Sequence, residues 1–176
     1  HNVPIRVRST FSEDRGTLVH NEDDALERLV VRGISHNMNE VKFTMRGLQH
    51  GTGAATKIFG ALARAEINVD VIVQNAPFEE SINLSFTLDQ SDRYQAEDVI
   101  KPVLQALDCK TLEVDEEIGK VSIVGVGMRS HAGVAAAMFE TLHAQAIDIL
   151  MISTSEIKVT CVTAKKDIEK AVNALH

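Results

Sequence analysis

Between residues 41 and 46 the chain alternates strictly: Val41, Phe43 and Met45 are apolar, and Lys42, Thr44 and Arg46 are polar. That period of two marks a strand with one face buried. A turn with Gly51 and Gly53 follows. Ala55, Ile58, Ala61, Leu62 and Ala65 then fall at helical spacing, with Thr52 placed to act as N-cap. Residues 68–75 read as a mostly apolar strand, and Ile82, Leu84, Phe86 and Leu88 alternate again. A second helix is expected from about Asp92, with Ala96, Val99, Ile100, Val103, Leu104 and Leu107 on one face. Pro102 interrupts that stripe and predicts a kink or a break. Residues 110–116 alternate as a short closing strand. The order strand, helix, strand, strand, helix, strand is the split βαβ, ferredoxin-like unit.

The same pattern occurs twice. At an offset of eighty, Val41 falls on Val121, Gly47 on Gly127, Gly53 on Gly133, Ala55 on Ala135, Phe59 on Phe139 and Leu62 on Leu142. Ile67, Val69 and Ile72 meet Ile147, Ile149 and Ile152. Residues 82–87 then match 157–162 at an offset of seventy-five, so the first copy carries a five-residue insertion, residues 76–80, whose Pro77, Glu79 and Glu80 suit a surface loop. The second copy has a helix with Val134, Ala135, Met138, Phe139 and Leu142, strands near 148–154 and 156–163, and a last helix over 166–175. It has no fourth strand of its own, and residues 29–35 are the candidate to supply one. The expected fold class is therefore α+β, two ferredoxin-like βαββαβ modules in tandem, the second completed by an N-terminal strand. Residues 1–28, mixed in character and ending near the acidic run Glu22-Asp23-Asp24, read as a linker or tail. Residues 29–37 are the completing strand, 38–117 the first module and 118–176 the second.

Composition narrows the functions. Aromatic residues make up 4% of the chain, so the cores must be aliphatic, and the net charge of −7 argues against nucleic acid or an anionic membrane surface as partner. Phe43 and Phe86 sit on apolar strand faces, which places them in a core and not on an RNA-stacking platform. No apolar run reaches the roughly 18 residues needed to span a bilayer, and no signal-peptide pattern opens the chain, so a cytoplasmic location is expected. Cys109 and Cys161 have no CxxC partner and read as buried or half-buried thiols in a reducing compartment. The seven histidines lack zinc-type spacing. Gly125-Val126-Gly127 lacks the third glycine of a dinucleotide fingerprint, and no phosphate-binding GK[ST] loop or convergent acid–base pair is present. A small-molecule enzyme on this scaffold stays open only as an alternative.

What remains is the strand-to-helix turn of each copy, residues 49–53 and 129–133. Tight turns alone would account for the glycines. The functional alternative is an amino-acid site. A helix amino end offers unpaired N–H groups and a favourable dipole to a carboxylate, and glycine permits close approach. Asp70, Asp148 and Glu156, in the adjoining strands, are available to the ligand's ammonium.

Several motifs, in order along nearly the whole chain, resemble the regulatory region of aspartate kinases, which is built from tandem ACT modules. They are residues 4–11 (PIRVRSTF), Ile67-Asn68-Val69-Asp70, Val73-Gln74-Asn75, residues 121–128 (VSIVGVGM), residues 130–134 (SHAGV) and residues 152–157 (ISTSEI). The resemblance implies feedback control of an ATP-dependent phosphorylation of the aspartate side chain, the first step toward lysine, threonine and methionine. The catalytic domain would precede this region, as a domain or a separate subunit, and would hold the ATP and Mg; this chain would have no catalytic residues and no cofactor. ACT modules of the family pair across a homodimer and bind lysine, threonine or both in the seams. By resemblance a threonine-type site would use Gly53, Ala55 and Gln74, closed by Asp148 and Ile149 of the other module. A lysine-type site would use Ser130, His131, Val134, Ala135, Ser155 and Glu156, with Asp70 facing the ligand ammonium. His50-Gly51-Thr52 replace a usual acidic residue and Pro-Gly, and Asp148 replaces a common Asn, both on the threonine side. On the lysine side Ala132 alone replaces a usual Pro, which favours lysine. A stand-alone double-ACT regulator is the alternative within the sensor class.

Overall fold

The computed structural model describes residues 5–8, 17–19, 31–49, 51, 53–76, 81–125 and 133–176. Strands β1 (Ile5–Val7) and β2 (Thr17–Val19) pair antiparallel with each other. They lie in the segment expected to be a tail; strands of three residues are too short to leave a periodic signature.

Every other described strand joins one antiparallel sheet: β3 (Gly33–Gln49), β4 (Ile72–Gln74), β5 (Ser81–Asp89), β6 (Thr111–Val124), β7 (Met151–Thr154) and β8 (Lys158–Ala164), in the order β4-β5-β3-β6-β8-β7. Among the described residues four α-helices accompany it, α1 (Ala54–Arg64), α2 (Arg93–Ala106), α3 (Val134–Ala144) and α4 (Ile168–Leu175). Two long central strands serve both modules. The start of β3, Gly33 to Asn37, pairs with Val124 to Lys120 of β6, and its continuation, Glu40 to Arg46, pairs with Ile118 to Thr111. The second module thus takes its missing strand from ahead of the first. The completing pairs run from Gly33 to Asn37, two residues beyond the 29–35 candidate, and that strand continues without interruption into the first module.

The register shifts where the modules meet, around Asn37, Glu40 and Lys42. Side chains cover the irregularity: Asn39 donates its backbone N–H to Asn37 Oδ1 (3.0 Å), and Glu117 donates to Asp115 Oδ1 (3.0 Å).

Each module has its own core. The first joins Val41, Phe43 and Met45 of β3 to Leu84, Phe86 and Leu88 of β5, under Ile58 and Leu62 of α1 and Ile100 and Leu104 of α2. Phe43 and Phe86, as expected, are fully buried; their rings stack at 5.2 Å, and Phe59 meets Phe86 edge-on. The second joins Val121, Ile123, Val159 and Cys161 to Met138 and Leu142 of α3 and Ile168 and Ala171 of α4. Each buried large side chain contributes roughly 1.5–3 kcal/mol. At Gly119 a Cβ would stand 2.6 Å from Ile168 Cγ1, so glycine is what lets α4 seat on β6.

A flat sheet of this order would separate β4 from β7 by five strand spacings, about 24 Å. Instead the two edge strands touch. The sheet is therefore curled strongly on itself. Val71, Ile118, Met151 and Val162, drawn from both modules, form a third small apolar cluster.

Three local expectations need correction. Of the kink or break expected at Pro102, the break is absent: helix α2 runs on to Ala106. The N–H that proline lacks would have bonded the Asp98 carbonyl, and both residues are exposed, so water can take that place. The N-cap of α1 is Gly53 and not Thr52, which lies outside the described residues. The regular part of the strand expected over 68–75 is only β4; ahead of it, Asp70 donates its N–H to the Thr87 carbonyl and Val71 accepts from Thr87 N–H.

Candidate functional site

Both strand-to-helix turns end in glycine with left-handed geometry. Gly53 caps α1 at φ 67°, ψ 34°, and Gly133 caps α3 at φ 101°, ψ −11°. Nothing stands within 4 Å of a Cβ built on either, so it is the backbone angle and not crowding that calls for glycine. Their carbonyls start the helices, accepting from Lys57 N–H (3.0 Å) and Ala137 N–H (2.8 Å). Neither cap residue carries a side chain that could close the first-turn N–H groups, and both are exposed. Ala55 and, in α3, Val134 and Ala135 are half-buried in the first turn.

Where the sheet edges approach, Val73, Ser85, Ile149, Leu150, Met151 and Ile152 line a groove of about 390 Å³. Ile72 and Val73 of β4, Leu150 just ahead of β7 and Ile152 within it are exposed apolar side chains at the two ends of the strand order. The turn after β7 is tight: Ser155 N–H donates to the Lys158 carbonyl at 2.8 Å, leaving Glu156 and Ile157 at the tip. In the first module the corresponding connection holds the insertion, of which residues 77–80 lie outside the described ones.

Beside this seam lies a charged cluster. Lys120 Nζ is 2.6 Å from Glu40 Oε1 and also bonds Asp70 Oδ2. Glu40 Oε1 accepts a second bond, from Asn37 Nδ2 at 2.7 Å. Glu40 is 3% exposed and Lys120 8%, whereas half of the Asp70 side chain faces solvent. Burial works against the Lys120 charge, but the bonds to Asp70 and Glu40 outweigh it and push the ammonium above its ordinary value. Burial likewise works against the Asp70 charge, yet Lys120, helped by Lys158, holds that carboxyl below the usual range. For Glu40 burial prevails over the help of Lys120, and the pKa is raised.

Comparison with known proteins identifies this architecture. A family model described as ACT domain matches residues 45–103 and 121–176. The chain is 44% identical over 177 residues to an aspartate kinase of Pseudomonas putida, covering 100% of this chain and 43% of that protein. The regulatory subunit of aspartate kinase from Thermus thermophilus, in its ligand-free form, superposes with TM-score 0.80 at 31% identity, covering 84% of this chain and 97% of that one. The chain belongs to the ACT-domain family of aspartate kinase regulatory regions. Aspartokinase III of E. coli, solved in complex with lysine and aspartate in a T-state, matches with TM-score 0.73 and 28% identity over 99% of this chain and 38% of that protein. The chain spans less than half the length of the curated kinase it matches.

In this regulatory region the residues singled out from sequence fall as follows. Gly53 and Ala55 open α1, and Gln74 ends β4 as an exposed residue. Val73, next to Gln74, lines the same groove as Ile149, so one chain brings the Gln74 strand against the second module. Asp148, beside Ile149, is exposed. Val134, Ala135, Ser155 and Glu156 lie at the start of α3 and in the hairpin after β7; Ser130 and His131 are outside the described residues. Asp70, a first-module residue, is close enough to Lys158 of the β7–β8 hairpin to feel its charge, while its ion-pair partner is Lys120. Sequence reasoning missed Lys120, Glu40 and Asn37. A lysine at an outward-looking position of an alternating strand reads as solvated; only the curling of the sheet buries it.

Among the described residues no group of His, Cys, Asp and Glu could hold a metal, and no helix is long and apolar enough to cross a membrane. Both cysteines are free thiols, Cys161 buried and Cys109 half-buried.

Proposed function

We propose that this regulatory region binds lysine, threonine or both at the seams between its modules, and so conveys feedback inhibition to an aspartate kinase catalytic domain or subunit in the biosynthesis of lysine, threonine and methionine. The observation that carries the reading is the pair of glycine-capped helix amino ends, one per module. Each suits the carboxylate of a free amino acid. Asp70, held charged and half-exposed beside the second module's hairpin, suits an ammonium. The lysine complex of aspartokinase III supports the choice of ligand, since that protein shares the fold over nearly all of this chain. In the lysine-type site Ser130, His131, Val134, Ala135, Ser155 and Glu156 surround the ligand with Asp70. In the threonine-type site Gly53, Ala55 and Gln74 do so with Asp148 and Ile149.

A second copy of the chain would cover the apolar edge residues Ile72, Val73, Leu150 and Ile152, which gives the homodimer a physical reason. The effector then acts by population shift. It favours one packing of modules only by its differential affinity for that packing, a coupling of about 1–3 kcal/mol. ATP and Mg belong to the catalytic part, with a cytoplasmic setting for both.

Isothermal titration of lysine, threonine and methionine, singly and together, into the chain tests the reading. Saturable heat from lysine is expected, with a weaker response or none from threonine and none from methionine. No heat from any of the three would overturn it.

A further inference from the structure

The charged cluster at the seam has an uneven balance. Two carboxylates, Glu40 and Asp70, share one ammonium, Lys120, which leaves one negative charge. Two further charges are within electrostatic range, Lys158 near Asp70 and Asp89 near Lys120; they oppose each other in sign. The three members differ in access. Glu40 and Lys120 are buried, while half of the Asp70 side chain is exposed. Glu40 is also fixed in place: its Oε1 receives both Lys120 and Asn37 Nδ2, and the nearby Thr87 hydroxyl favours its charged form. Among the described residues its one cationic counterpart is Lys120, and whatever share of the ammonium it takes is withheld from Asp70.

We propose that Glu40, which is too deeply buried to touch a ligand, sets the negative charge that Asp70 presents to a cationic ligand by engaging Lys120 from the inner side. The inference rests on the reading of Asp70 as the partner of the effector's ammonium and adds the residues that tune it. With Glu40 in place, Lys120 is neutralised from behind, and Asp70 has charge to offer outward. A cation arriving there makes two ion pairs of the four charges. Without the Glu40 charge, Lys120 belongs to Asp70 alone and repels that cation. Without the Lys120 charge, burial acts on Glu40 unopposed and favours its neutral form, and Asp70 keeps its charge with no internal cation to share it.

The two substitutions therefore act in opposite directions, which damage to the fold cannot imitate. The test is calorimetric titration of L-lysine at pH 7 into the full chain as wild type, Glu40→Gln and Lys120→Met, with thermal unfolding of each recorded alongside. Glu40→Gln keeps the shape and the acceptor for Lys120 and Asn37, and is expected to weaken lysine binding about tenfold. Lys120→Met is expected to tighten it several-fold, despite a lower unfolding temperature. Equal affinity of Glu40→Gln and wild type, or weakening by both substitutions, would overturn the proposal. If Lys120→Met does not fold, Glu40→Gln decides alone. If wild type itself does not bind lysine, the reading of Asp70 fails first and this inference falls with it. Binding by wild type with an unaltered Glu40→Gln variant removes the inference only.

Discussion

Lys120 of β6 and Asp70, fifty positions earlier and just ahead of β4, form an ion pair that spans the two modules. It joins the same parts of the chain as the apolar cluster of Val71, Ile118, Met151 and Val162: Asp70 precedes Val71, and Lys120 lies two residues from Ile118 and opposite Val162. The curl of the sheet, and with it the groove beside Ile149, rests on these contacts and on the touching edge strands.

Replacing Asp70 by Asn should therefore loosen the closure. Because half of the side chain is exposed, solvent screening limits the loss to about 1 kcal/mol. The folded carboxyl has a pKa below its ordinary 3.8. Its stabilisation is then fully present above about pH 4 and lost as the pH falls through the folded value. Urea denaturation of wild type and Asp70→Asn should differ at pH 7, and the difference should shrink at pH 3. A difference that grows on acidification would contradict the assignment.

Alkaline pH probes the second core. Cys161 is completely buried, and burial raises its thiol from 9.0 to about 11. The folded state holds the proton where the unfolded state has lost it, so stability is full below pH 9 and falls as the pH rises toward 11. Between pH 8 and 10.5 this amounts to about 2 kcal/mol. Lys120, also raised, adds loss in the same direction at the upper end of the window. Cys161→Ala should cost about 1–2 kcal/mol at pH 8 through lost contacts, among them that of Sγ with Met138 Sδ at 4.0 Å. The gap to wild type should then narrow or reverse by pH 10.5, as read by denaturant midpoints.

Much of this architecture is written in local pattern. The alternation at Val41, Phe43 and Met45, the helical spacing of Ile58 and Leu62, and the eighty-residue repeat all describe contacts within one module, which periodicity reports directly. The need for a borrowed strand was legible too, because the second copy was visibly one strand short. What pattern could not reveal depends on chain segments distant in sequence. The merging of two expected strands into β3, and of two more into β6, leaves no mark at the junctions Asn37–Val41 and Glu117–Val121. Lys120 looks like any outward lysine of an alternating strand. The short pair β1–β2 lies below the length at which alternation can be recognised. Of the candidate site, the glycine turns and Asp70 stand out in the sequence; Lys120, Glu40 and Asn37 do not, since their burial follows from the curl.

Gly119 gives a sharp test of how the second module is closed. Its position opposite Ile168, with a would-be Cβ 2.6 Å from Cγ1 and 3.1 Å from the Asn37 carbonyl oxygen, leaves no room for a methyl group. Ile168, the first residue of α4, is fully buried with little room to shift, and the Asn37 carbonyl belongs to the borrowed strand. Gly119→Ala should destabilise by about 1–3 kcal/mol. Amide hydrogen exchange should accelerate in α4 and at the start of β3 more than in α1 and α2. Uniform acceleration, or none, would show that the methyl is accommodated elsewhere.

Pro102 offers the opposite sign. It sits well inside α2, with four helical residues after it, and the helix continues to Ala106 in spite of the missing N–H. The helix holds because Ile100 and Leu104 are buried in the first core, not because its backbone bonds are complete. Proline in a helix interior costs about 3 kcal/mol relative to alanine. Part of that cost is already relieved here, since the Asp98 carbonyl can bond water. Pro102→Ala restores the bond and removes the ring, leaving both buried leucine and isoleucine contacts untouched. Stability should rise by about 1–2 kcal/mol, seen as a higher denaturant midpoint with an unchanged slope. A loss of stability would mean instead that the ring packs usefully in the outer groove between α1 and α2, where Pro102 lies beside Val103, Thr56 and Arg64.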